Sequence, residues 1–79
     1  KSDFVDDALW YIGWCYFKLG RYRDSITSLQ TLIEKFPQSK YVGQAQYWLG
    51  KIYEKQEKWE NAKQIYDKII RQRRWYYSI

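Results

Sequence analysis

Apolar residues recur at helical spacing in four segments of the chain, and no segment alternates apolar and polar residues long enough to predict a strand. The first segment carries a stripe through Leu9, Ile12, Gly13 and Tyr16 and stops near Gly20, a residue that commonly ends helices. We therefore predict an all-α fold. The four predicted helices cover approximately residues 4–19, 22–36, 41–55 and 59–71.

Residues that start and stop helices support these boundaries. Ser2 or Asp3 can cap the first helix, and Asp6 and Asp7 place negative charge near its N-terminus. Pro37 ends the second helix because proline cannot continue the hydrogen-bond ladder. The short links predict two antiparallel helix hairpins, the second of which turns at QEK without glycine.

The second half of the chain repeats the first at an offset of 37 residues. Small residues recur where two helices of a pair would cross, at Gly13 and Gly50 and again at Ser25 and Ala62. A single hairpin cannot bury its own apolar face, so we expect the two hairpins to stack. Between residues 7–37 and 44–74 the identical pairs are Ala8 and Ala45, Gly13 and Gly50, Tyr16 and Tyr53, Lys18 and Lys55, and Ile33 and Ile70.

Composition adds that the chain is small, globular and basic. Its 79 residues suit one domain, and aromatic residues, at 22%, are frequent enough to stabilise a short core. The net charge of +5 favours an anionic partner only weakly. There is no histidine and one cysteine, Cys15, which excludes a Ser-His-Asp triad and a zinc site. No glycine-rich phosphate loop is present, so we expect no enzyme activity, cofactor or metal.

Two further partner classes are disfavoured. No apolar run approaches the roughly 20 residues that span a bilayer, so we expect no membrane insertion. Arg71, Arg73 and Arg74 lie at a predicted helix C-terminus, where cations interact well with the helix dipole. Without a larger basic stripe or a known reader motif, we expect no nucleic-acid binding.

The order of residues in each half resembles the tetratricopeptide repeat, whose signature runs from a large residue through Leu-Gly, Tyr, Ala and an aromatic residue to Pro. The resemblance implies an α-solenoid fragment in a single domain, 1–79, with repeats at about 6–39 and 43–76, cut from a longer protein. The matching residues are Leu9, Ile12, Gly13, Tyr16, Ser25, Leu29 and Pro37 in the first half, and Gln46, Leu49, Gly50, Tyr53, Ala62 and Tyr66 in the second.

Longer phrases carry a narrower resemblance. ALWYIGWCYFKLGRY, FPQSKY and AQYWLGKIYEK resemble the helical superhelix of soluble lytic murein transglycosylases, and FPQS and YWLG are also similar to periplasmic tetratricopeptide lipoproteins. These resemblances imply a bacterial periplasmic protein whose chain is a non-catalytic scaffold for a protein or peptide partner. The alternative is the non-catalytic part of a murein-cleaving enzyme that positions peptidoglycan. A cytosolic receptor for acidic peptide tails is a third possibility.

In a tetratricopeptide array the first helix of each repeat lines a concave groove, and the resemblance supplies ten candidate positions there. Two interpretations of Trp10 and Trp14 remain open, packing against a neighbouring repeat or a shelf for peptide or sugar rings. The lysines could pair with carboxylates of a partner or could belong to a solvated face. The candidates are Asp7, Trp10, Trp14, Phe17 and Lys18 in the first repeat, and Gln44, Tyr47, Lys51, Glu54 and Lys55 in the second.

Two repeats are fewer than the roughly three that a stable stack usually needs. We therefore predict that the isolated chain self-associates, with Trp75, Tyr76 and Tyr77 among the contacts.

Overall fold

A computed structural model describes the backbone of residues 4–77 and the side chains of residues 4–72. The regular structure in this range consists of helices, which confirms the predicted all-α fold. The four helices are α1 (Val5–Lys18), α2 (Tyr22–Lys35), α3 (Val42–Lys55) and α4 (Trp59–Tyr77).

The first three helices begin and end within one residue of the predicted positions, but the fourth does not. Helix α4 continues to Tyr77, so the predicted end at Arg71 is wrong. Residues 71–77 contain no proline or glycine to break the hydrogen-bond ladder, so the helix continues through them. The predicted cap at Ser2 or Asp3 and the side chains of Trp75, Tyr76 and Tyr77 fall outside the described residues.

Both hairpins turn in the same way, although only the first turn contains glycine. Gly20 has a φ of 78°, and Glu57, which lies 37 residues later, has a φ of 60°. The amide of Arg21 donates to the Tyr16 carbonyl at 2.9 Å, and that of Lys58 donates to the Tyr53 carbonyl at 2.8 Å. Glycine adopts this left-handed conformation without a steric penalty. A residue with a Cβ, such as Glu57, adopts it at a conformational cost of about 1 kcal/mol.

The core lies where the two hairpins meet, between α2 and α3. Leu29 and Leu32 of α2 form one buried cluster with three residues of α3, Ala45, Leu49 and Ile52, and each is at most 2% exposed. The apolar faces of α2 and α3 are buried against each other, so the predicted stacking of the two hairpins is confirmed.

The small residues allow the two helices of each hairpin to approach closely, as the sequence predicts. A Cβ added at Gly13 would lie 2.8 Å from Leu29 Cδ2, and one added at Gly50 would lie 2.6 Å from Tyr66 Cε1. Leu29 and Tyr66 are themselves equivalent positions of the repeat. The buried Ser25 donates a hydrogen bond from Oγ to the Gly13 carbonyl oxygen at 2.7 Å, which ties α2 to α1.

One residue that the repeat pattern assigned to the core lies at the surface. Ile12 is 43% exposed, whereas its equivalent Leu49 is 2% exposed. Leu49 packs in the cluster with α2, which precedes its own repeat, and no described residue of the chain precedes α1 in the same way. Burial at this repeat position therefore depends on the neighbouring repeat.

Candidate functional site

Aromatic side chains fill the space between the first helices of the two repeats, α1 and α3. The Phe17 ring lies 4.9 Å from the Trp48 ring and 5.8 Å from the Tyr22 ring, measured between centroids. All three residues pack against the buried cluster. Phe17, a candidate groove residue, therefore extends the core between the repeats.

Trp10 and Asp7 contact the loop that joins the two repeats. The Trp10 ring stacks on Tyr41 at 5.7 Å with an interplanar angle of 11°. Hydrogen bonding to the Asp7 carboxylate is the main cause that raises the pKa of Tyr41 above 10.0. Ser39 Oγ donates to Asp6 Oδ2 at 2.6 Å and accepts from the Tyr41 amide at 3.1 Å. These contacts connect the start of α1 to the start of α3.

Trp48 also belongs to a strip of three aromatic residues that solvent reaches. Trp14 and Trp48 line one narrow gap above Gly13 that does not admit a water molecule. The Trp48 and Tyr47 rings meet edge to face, with centroids 5.9 Å apart. Trp14 is 38% exposed and Tyr47 is 47% exposed, while Trp48 is half-buried between α1 and α3. We call Trp14, Trp48 and Tyr47 the aromatic strip.

A lysine lies over the ring at each end of the aromatic strip, one helical turn after it. Lys18 Nζ is 5.2 Å from the Trp14 ring centroid, and Lys51 Nζ is 5.5 Å from that of Tyr47. An ammonium group is attracted to the face of an aromatic ring by about 0.5–1 kcal/mol at exposed sites. The strip therefore offers apolar faces and positive charge together.

Acidic and phenolic groups lie beside Tyr47 in the second repeat. Burial is the first cause that raises the pKa of Tyr66 above 10.0, and the Glu54 carboxylate raises it further. Tyr47 contributes to the same shift, and Glu54 lies two helical turns after Tyr47 on the same face of α3. The second repeat thus places a carboxylate near one end of the strip, where the first repeat has Phe17.

The candidate residues therefore divide by environment. Five of them, Trp14, Lys18, Tyr47, Lys51 and Glu54, lie along or beside the aromatic strip. Gln44 and Lys55 are exposed on α3. Asp7, Trp10 and Phe17 make contacts inside the molecule. Whether any of the ten binds a partner stays a prediction.

Sequence reasoning missed Trp48 and Tyr66 as parts of this surface. Trp48 is equivalent to Tyr11 and Tyr66 to Leu29, and neither residue is among the groove positions that the resemblance supplies. The sequence does contain a signal for Trp48, since it directly follows Tyr47. Periodicity along one helix cannot reveal that it crosses to Phe17 of another.

Among the described side chains of residues 4–72, no three His, Cys, Asp or Glu residues are grouped so as to hold a metal ion. Nor does any helix within residues 4–77 have the length and apolar character needed to cross a membrane.

Two stacked helix hairpins with an aromatic strip on their first helices define an α-solenoid repeat protein. Comparison with protein families makes this class specific, because a family model described as Tetratricopeptide repeat matches residues 7–39 and 44–73. The chain belongs to the tetratricopeptide repeat family. Searches of curated proteins and of solved structures gave no match.

Proposed function

We propose that the aromatic strip and its two lysines bind a protein partner through an extended acidic and aromatic peptide. Tetratricopeptide repeats act as protein-interaction and scaffold modules, and such domains are generally non-catalytic. The observation that carries the proposal is the pair of exposed aromatic-lysine contacts, Trp14 with Lys18 and Tyr47 with Lys51.

The chemistry of the strip decides which peptides it favours. Exposed aromatic rings bury large area at low entropic cost, and recognition surfaces are enriched in them for that reason. Lys18 and Lys51 can each pair with a carboxylate, whereas Glu54 disfavours acidic residues at its end of the strip. We therefore expect the carboxylates of the bound peptide to lie toward Trp14.

A bacterial cell-envelope protein is the parent that we propose, with the chain located in the periplasm. The support for this is the sequence of the segments FPQSKY and AQYWLGKIYEK, which resembles that of periplasmic tetratricopeptide proteins. The second candidate, part of a lytic murein transglycosylase that positions peptidoglycan, has the same support. Exposed aromatic rings suit sugar faces as well as peptides, so the two candidates need a direct test.

The test is a selection from a random peptide library against the chain, followed by calorimetric titration of the selected peptides. We expect peptides with aromatic and acidic residues, and an affinity that falls at least about tenfold in Tyr47→Ala and Trp14→Ala. Trp59→Ala is the matched control, because Trp59 is 62% exposed on α4, outside the strip. Equal losses in all three variants, or no selected peptide, would contradict the proposal.

Co-sedimentation with purified peptidoglycan separates the second candidate from the first. Binding of the chain to the glycan that is lost in Trp14→Ala and kept in Trp59→Ala would favour the transglycosylase interpretation. A chain that stays in the supernatant while still binding peptides would favour the protein-interaction interpretation.

A further inference from the structure

On the outer face of α1, five of six apolar residues are exposed and Cys15 is half-buried. The Tyr11 ring also stacks on Trp14 of the same helix at 6.3 Å. We use the name outer face of α1 for these six residues. Phe4 is 77% exposed, Tyr11 63%, Ile12 43% and Val5 37%. A contiguous apolar patch of this kind on a small protein commonly marks an interaction surface. The six residues are Phe4, Val5, Ala8, Tyr11, Ile12 and Cys15.

The same six positions on α3 show what this face is built to contact. In the second repeat these positions face the first hairpin. Ala45 and Ile52 are 0% exposed and Leu49 is 2% exposed against α2, while the Tyr41 and Trp48 rings also contact Trp10 and Phe17 of α1. The remaining three pack against the same cluster. The equivalents, 37 residues later, are Tyr41, Val42, Ala45, Trp48, Leu49 and Ile52.

Helix α4 keeps the other half of this interface. On α2 the receiving side is formed by Leu29, Leu32 and Ile33, of which Ile33 is half-buried against the cluster. Their equivalents on α4 are Tyr66, Ile69 and Ile70. Ile70 is 54% exposed and Ile69 is half-buried, so α4 also has apolar side chains that solvent reaches.

We propose that a second copy of this chain docks its α1 outer face on α4 of the first copy. The contact would repeat the internal α2–α3 interface, since each chain carries both complementary halves of that interface. Such a head-to-tail contact is heterologous and leaves one face free on each terminal copy, so assembly grows with concentration instead of stopping at a dimer. The predicted self-association thereby acquires a specific geometry.

Sedimentation velocity from low micromolar to millimolar concentration tests the proposal with two variants, Ile12→Glu and Ile70→Glu. The wild-type chain is expected to grow in mass with concentration. For each variant alone the dissociation constant of self-association should rise at least about tenfold, because the new carboxylate would be buried without a partner. Gln64→Glu is the charge-matched control on an exposed position of α4 and should assemble like wild type.

An equimolar mixture of the two variants gives the decisive result. The Ile12→Glu chain retains its α4 face and the Ile70→Glu chain retains its α1 face, so together they can form one intact contact. We expect a 1:1 dimer and nothing larger. Wild-type chain that remains monomeric at millimolar concentration would overturn the proposal, as would assembly that Ile70→Glu leaves unchanged, since that would indicate contact between two α1 faces.

Two measurements keep these outcomes distinct from misfolding and from failure of peptide binding. Helical circular dichroism and the melting temperature at low concentration should match wild type in both variants, because both substituted side chains are about half-exposed. Neither position belongs to the aromatic strip. A library-selected peptide should therefore bind Ile12→Glu as it binds wild type, whatever the state of assembly.

Discussion

In the first repeat the Leu29 side chain packs on Gly13, and in the second the Tyr66 ring packs on Gly50 at the same crossing of two helices. Leu29 is 1% exposed and belongs to the core, whereas Tyr66 is half-buried beside Glu54. The backbone turns of the two hairpins also match, at Gly20 and Glu57. The two hairpins therefore share one backbone arrangement, while the equivalent side chains Leu29 and Tyr66 differ in burial.

The difference between the repeats follows from their neighbours. Helix α3 lies against α2, and its apolar positions are buried there, while the equivalent positions of α1 are exposed. In a stack of repeats each unit contacts only the units next to it, so burial is a property of a pair of repeats. One sequence motif can thus serve as core in one copy and as surface in the other.

The largest test of this comparison is truncation at one repeat position in both copies. Leu49→Ala should lower the free energy of unfolding by about 2–5 kcal/mol, because it leaves a cavity in the α2–α3 core. Ile12→Ala should cost less than about 1 kcal/mol, because Ile12 is already 43% exposed. Chemical denaturation at low micromolar concentration measures both. Equal losses would show that burial at this position does not depend on the neighbouring repeat.

The crossing glycines provide a second test of intermediate size. Gly13→Ala should destabilise the chain by about 1–3 kcal/mol, because Leu29 is enclosed on all sides and cannot move away from the new methyl group. Gly50→Ala should cost less, since the ring end of Tyr66 can swing toward solvent. The gain of about 1 kcal/mol in helix propensity from glycine to alanine applies at both positions. Thermal unfolding of the two variants gives the comparison. A larger loss in Gly50→Ala would mean that Tyr66 is held as firmly as Leu29.

The smallest expected effect concerns the hydroxyl that only the first repeat has. Ser25→Ala converts this position to the residue that the second repeat carries at Ala62. It should cost about 0.5–1.5 kcal/mol, because it removes the buried hydrogen bond to the Gly13 carbonyl. Thr27→Ala removes an exposed hydroxyl that bonds to the Arg23 carbonyl and should change the unfolding free energy by less than about 0.5 kcal/mol. Indistinguishable midpoints for these two variants would argue that Ser25 serves only as a small residue.

Much of the site could be predicted from the sequence because it lies on single helices. The spacing of four that brings Lys18 over Trp14 and Lys51 over Tyr47 follows from helical geometry. The spacing did not separate Trp14 from Trp10, since both lie on one face of α1. Only the loop residue Tyr41, stacked on Trp10, distinguishes the packed tryptophan from the exposed one.

The sequence by itself determined four helices, their pairing in hairpins and the small residues at their crossings. These features depend on residues close together in the chain or recur at a fixed offset of 37 residues, so the amino-acid sequence alone is enough to predict them. The tertiary structure alone decided which copy of each repeat position is buried, since that depends on the helix that comes before it in space. It also decided that α4 continues to Tyr77 and that Trp48 crosses to Phe17. Contacts between repeats join residues far apart in the chain, and the pattern within one helix carries no information about them.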